Sequence, residues 1–172
     1  YIYKRKQPSD LSLSNFEEES DTTMRAGFEL KGSRESISLA DWEPLRALIA
    51  WQEQDSDQAF AQEAETYVNI ENTVDFWIFA NLITGYDQLA KNVYYIARAE
   101  NNAYRFYFAP WDMDLTFGYT SDPDFPWGTK YESYLYENYI WWEPGNRLMK
   151  TDAAGARTLA QERYASLRET VL

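Results

Sequence analysis

Residues 70–84 (IENTVDFWIFANLIT) constrain the fold more than any other stretch of this chain. Asn69 stands where a helix cap belongs and Gly85 where a helix stops. Between them Val74, Trp77, Ile78, Ala80 and Leu82 leave almost no polar side, so the helix is expected to be buried. Two β-patterned runs follow at 93–98 and 104–108, with the turn signal Glu100-Asn101-Asn102 between them. A buried helix leading into a hairpin predicts an α+β fold, mostly helical, with the hairpin at its heart.

The remaining segments fit around that centre. Asp41 reads as an N-cap with Pro44 in the first turn, and Trp42, Leu45, Leu48 and Ile49 recur at helical spacing. A second helix is expected over 57–65 with Phe60 and Ala64 inward, and a last one over 153–172 with Leu159, Tyr164, Leu167 and Val171 on one side. Residues 7–23 are polar, acidic and aperiodic, which predicts a surface loop; 28–31 predict a short strand closed by Gly32-Ser33. Residues 117–146 predict a long aromatic loop, whose stretch 125–142 is read first as a hydrophobic layer and second as a stacking surface for sugars or peptide. With 172 residues there is room for one domain. The opening Tyr1-Ile2-Tyr3-Lys4-Arg5 reads as mid-strand without an initiator Met, so the expectation is a fragment with further chain upstream.

The chain has no cysteine and no histidine. Disulfides, thiolate zinc sites, His-ligated metals and every Ser-His or Cys-His mechanism are therefore excluded. Chemistry is left to carboxylates, amides, Lys, Arg, Tyr and hydroxyls. A net charge of −12 argues against a nucleic-acid partner. No apolar run approaches the roughly 18 residues of a membrane span.

Two clusters flank the predicted hairpin, Gly85-Tyr86-Asp87-Gln88-Leu89-Ala90-Lys91-Asn92 before it and Pro110-Trp111-Asp112-Met113-Asp114-Leu115-Thr116-Phe117-Gly118 after it. An antiparallel pair returns the end of its second strand to the start of its first. Asp87, Asn92, Asp112 and Asp114 are thus expected at one end of the ribbon. They offer only hard oxygen donors, which suit Mg²⁺, Mn²⁺ or Ca²⁺. The order of buried helix, Asp, four residues, Asn, hairpin and Asp is also that of the protein-kinase catalytic loop and metal-binding segment. The His and Arg that usually precede the kinase Asp are absent; Gly85-Tyr86 stand there. Each residue has a plainer reading beside this one. Asp87 alone is a turn residue, Asp114 a partner for amides in its own loop, and Lys91 a solvated lysine or a phosphate contact.

The strings Asn69-Ile70-Glu71-Asn72, Val74-Asp75-Phe76-Trp77-Ile78-Phe79, Asp87 to Val93-Tyr94, and Pro110-Trp111-Asp112-Met113-Asp114 through Gly118 resemble the CotH kinase family. The resemblance is strongest over 68–118; Tyr3-Lys4, 28–31 and the tail from Arg147 fit it more loosely. It implies a protein-kinase-like fold, of which this would be the C-terminal lobe, and phosphorylation of Ser in surface or spore-coat proteins. It further implies ATP with Mg²⁺ or Mn²⁺, and a secreted, cell-surface or spore-coat bacterial setting. Carried over, Asp87 is the base, Asp112 the principal metal ligand, Asn92 the second, and Asp114 a further match to the motif. No Gly-rich phosphate loop is present, and no Lys-Glu pair is assigned. The competing reading is a non-catalytic surface scaffold or a carbohydrate- or protein-binding module, which the aromatic content favours. A two-carboxylate glycosidase is weaker, because Asp112 and Asp114 are too close in sequence to flank a sugar ring.

Overall fold

The structure, a computed structural model, describes residues 1–6, 12–18, 23–32, 36–83, 85, 91–114, 116 and 143–170. In chain order its elements are β1 (Ile2–Arg5), α1 (Leu13–Glu18), β2 (Met24–Arg25), β3 (Phe28–Lys31), a 3₁₀ turn (Leu39–Trp42), α2 (Glu43–Gln52), α3 (Asp57–Tyr67), α4 (Ile70–Leu82), β4 (Val93–Glu100), β5 (Ala103–Pro110), α5 (Glu143–Thr151), a second 3₁₀ turn (Ala153–Gly155) and α6 (Ala156–Thr170). The fold is α+β, with one antiparallel sheet in the order β2-β3-β1-β4-β5.

The hairpin forms where expected and runs longer. Val93 pairs with Pro110 and Glu100 with Ala103. Asn101 and Asn102 have φ of 50° and 65°, the doubly left-handed turn that matches strand twist, and Asn is among the few residues that accept it. The ribbon does not stand alone: β1 lies between β4 and β3, with Tyr3 opposite Tyr95 on one side and Leu30 on the other. Alternation sorts the sheet into two faces. Tyr3, Phe28, Leu30, Val93, Tyr95, Ala97, Phe106 and Phe108 join the core with Trp42, Leu45, Leu48, Ile49, Trp51 and Phe60. On the other face Ile2, Lys4, Glu29, Lys31, Tyr94, Ile96, Arg98 and Tyr107 stay half or fully exposed.

Helix α4 is fixed at both ends. The Asn69 side chain accepts from the Asn72 N–H at 2.8 Å. The Gly85 N–H closes on the Ala80 carbonyl at 2.7 Å, the long bond of a Schellman stop. Thr73, Val74, Phe76, Ile78 and Ala80 are buried. The expectation of burial all round is corrected: Trp77 is half-buried and Leu82 is 44% exposed. The reason lies outside the helix. Among the described residues, one side of α4 meets the polar α6, whose Arg163 pairs with Asp75 at 3.3 Å and Glu71 at 3.6 Å.

Other boundaries shift for local reasons. The polar 7–23 stretch contains α1, anchored by buried Phe16, whose carbonyl accepts from Arg25 at 2.8 Å. Asp41 is not the cap. It lies inside the 3₁₀ turn, which Ser38 caps, and its carboxylate accepts from both the backbone and hydroxyl of Ser38 at 2.9 Å; Trp42 stands at the N-cap of α2. Residues 143–146, expected as loop, open α5. In α6 Ala156 and Ala160 are buried and Leu159 and Leu167 pack half-buried against the core as expected, while Tyr164 is 51% exposed. The aromatic stretch 125–142 and Val171 lie outside the described residues.

Candidate functional site

The site grows from one buried amide. Asn92 is 2% exposed and has a left-handed backbone, φ 57°, just before β4. Its N–H donates to the Arg5 carbonyl at 3.1 Å, and its own carbonyl accepts from the Trp111 N–H at 3.0 Å. Its side-chain amide donates to the main-chain carbonyl of Asp112 at 3.3 Å. One residue thus ties the end of β1, the start of β4 and the segment leaving β5.

Asp112 has a left-handed backbone too, φ 53°, and its side chain is exposed, as is that of Asp114. Of the residues singled out by sequence, Asn92 and Asp112 are brought together, Asp114 follows two positions on, and Lys91 sits half-buried beside Asn92. The joining contact runs to the main chain of Asp112. Asp87 lies outside the described residues.

A neighbourhood that the sequence reading passed over surrounds these residues. The Lys4 ammonium sits 3.4 Å from the centroid of the Trp111 ring, and Tyr94 leans on the same ring at 6.3 Å. Glu29, across from Lys4 in the register, takes Lys31 at 2.7 Å and Lys6 at 3.6 Å. The Lys31 hydrogen bond, with the charges of Lys31 and Lys6, holds the Glu29 carboxyl below the usual range. Asn72 was quoted above only as part of a string. It grips the outer edge of β5, accepting from the Phe108 N–H at 2.6 Å and donating to the Phe108 carbonyl at 3.2 Å. The signal was available: Asn72 stands at the third helical position after the Asn69 cap, where a side chain still reaches past the helix end.

Oxygen donors from Asp112, Asp114 and Asn92 suit a hard divalent cation in kind. Among the described residues no three acidic side chains gather to hold one. Two surface cavities lie elsewhere, one of about 340 Å³ beside Glu43, Tyr67 and Tyr104, the other of about 300 Å³ between Phe79, Leu82 and Leu167.

The family model described as CotH kinase protein matches residues 1–172, the whole chain. The chain belongs to the CotH kinase family. No curated protein matches it. No helix among the described residues is long and apolar enough to cross a membrane.

Proposed function

We propose that this CotH-family chain is the metal-binding lobe of an ATP-dependent phosphotransferase that acts on a protein Ser hydroxyl at a cell surface or coat. The observation that supports the reading is the 3.3 Å bond from the Asn92 amide to the Asp112 carbonyl, which joins the last residue of the first cluster to the second. In this reading Asp112, Asn92 and Asp114 hold Mg²⁺ or Mn²⁺, which neutralises charge on the phosphates when bound. Asp87 accepts the hydroxyl proton as the Ser oxygen attacks the terminal phosphorus and the bond to the leaving nucleoside diphosphate breaks. The rest is positioning, to which the knot at Asn92 contributes.

The test compares Asp87→Ala with Asp112→Ala in titrations of ATP with Mn²⁺ and in phosphotransfer to a Ser-rich acceptor. Asp87→Ala is expected to lose turnover at near wild-type nucleotide affinity, and Asp112→Ala to lose both. Transfer at wild-type rates by both variants removes the assignment. A wild-type protein that neither binds nucleotide nor transfers phosphate leaves the binding-module reading in its place.

A further inference from the structure

The exposed face of the sheet, next to Asp112, carries a charge opposite to that of the whole. The chain has 28 acidic and 16 basic residues. Among the described residues of this patch, Lys6 and Lys31 pair with Glu29 and Lys4 lies opposite it in the register, three positive charges to one negative. The Glu29 carboxylate is taken by Lys31 and Lys6. Among the described residues Lys4 has no carboxylate within ion-pair distance; its ammonium rests on the Trp111 ring at 3.4 Å. An aromatic face orients an ammonium and leaves its charge uncancelled. Trp111 in turn is fixed by its N–H bond to Asn92 and precedes Asp112 in the chain. Lys4 is the member in contact with Trp111, the residue before the exposed Asp112, and among the described residues it pairs with no carboxylate.

We infer that Lys4, supported by Lys6 and Lys31, forms a subsite for a phosphate group beside Asp112, with Trp111 as the platform that aims the Lys4 ammonium. This rests on the phosphotransferase reading for its ligand class and on the sheet register for its place. The phosphate belongs either to the nucleotide or to a phosphorylated acceptor, and the probes separate the two.

The experiment titrates pyrophosphate, ADP, adenosine and a phosphoserine peptide, each with Mn²⁺, into wild type, Lys4→Met, Lys4→Arg and Lys150→Met. Methionine keeps an apolar chain on the Trp111 ring and removes the charge; Lys150 is the distant control, paired with Asp57 on another face. Lys4→Met is expected to weaken pyrophosphate binding by about tenfold or more, the scale of one charge-assisted hydrogen bond, with Lys4→Arg retaining most of it. A pyrophosphate loss matched by ADP but not by the phosphoserine peptide assigns the subsite to the nucleotide; one matched by the phosphoserine peptide but not by ADP assigns it to the acceptor, and adenosine, which has no phosphate, is expected to be unaffected in either case. Pyrophosphate affinity that is unchanged in Lys4→Met, or equally reduced in Lys150→Met, overturns the inference. So does a wild type that binds none of the phosphate probes. If Lys4→Met transfers phosphate with wild-type affinities, the phosphotransferase reading stands and the subsite falls. If binding depends on Lys4 but no transfer occurs, the subsite stands and the phosphotransferase reading falls.

Discussion

Asn92 and Asp112 both occupy left-handed backbone, which costs a non-glycine residue about 1 kcal/mol, less for Asn and Asp than for others. Asn92 repays part of this with the bond to the Asp112 carbonyl. Two substitutions separate these terms. Asn92→Ala removes the amide and keeps the strain, so a loss of about 1.5–3 kcal/mol is expected in urea unfolding. Asn92→Gly removes the amide and relieves the strain, so it is expected to be the milder change. Equal stability of the Ala variant and wild type would show that the knot contributes nothing. What the sequence made legible here was the meeting of Asn92 with Trp111-Asp112, because antiparallel pairing follows from two β-patterned runs and a turn. The main-chain destination of the Asn92 amide was not legible, since side-chain direction depends on backbone angles that residue type only biases. Lys4 was illegible for another reason. Nothing local to Tyr3-Lys4 says that residue 111 lies beside it; that follows from the pairing of β1 with β4, a contact across about ninety positions.

At the level of elements, two polar side chains fasten helices to their neighbours. Asn72 satisfies both main-chain groups of Phe108 on the edge of β5. Asn72→Ala leaves that edge unpaired and is expected to cost about 2–4 kcal/mol. Asn72→Asp keeps the acceptor but sets a carboxylate against the Phe108 carbonyl, so it is expected to rescue little. Arg147 of α5 donates to the Gln52 and Gln54 carbonyls at 2.6 Å and to Asp57 at 2.9 Å, with its guanidinium over the Phe60 ring. Arg147→Lys is expected to destabilise nearly as much as Arg147→Ala, because one ammonium cannot reproduce the planar fork. Unfolding midpoints that rank Lys beside wild type would show that charge alone matters there. Helices α2 and α3 were legible from apolar spacing alone, and α4 because its apolar spacing agreed with the Asn69 cap, whose side chain accepts from Asn72. Helix α1 was not: a helix of six residues offers too few positions for a period, and its one buried residue, Phe16, is held from the sheet side by Arg25. The faces of α4 and α6 misled for a related reason. The exposure of Leu82 and Tyr164 is set by what packs opposite, which the spacing of one helix does not contain.

For the whole molecule, the titratable groups divide into an acid set and an alkaline set with little between them. There is no histidine and no cysteine, so no side chain has its ordinary titration between about pH 5.5 and 7.5. Asp57 is held below the usual carboxylate range by its hydrogen bonds to Lys150 and then Arg147, and Glu29 by Lys31. A depressed carboxyl adds stability that is present above its unfolded value near pH 4 and lost as pH falls through the folded one. At the other end, burial raises the Tyr3 and Tyr67 hydroxyls, and the bond to Glu100 raises that of Tyr107. A raised phenol binds its proton more tightly in the folded state. Its contribution is therefore full below the unfolded value near pH 10 and is lost as pH rises beyond it. The expected profile is a plateau from about pH 6 to 8, a modest fall below about pH 4 and a steeper one above about pH 10. The alkaline limb is assigned chiefly to Tyr3, which is fully buried and donates to the Asp41 carbonyl at 2.6 Å. Melting temperatures of wild type and Tyr3→Phe from pH 2 to 11 check this. Tyr3→Phe is expected to lower the plateau, because the Asp41 carbonyl loses its donor, and to flatten the alkaline fall, because the group that must ionise is gone. A variant that keeps the full alkaline fall would move that limb to other tyrosines, and a step within pH 6–8 would reveal a carboxyl raised far above its ordinary value.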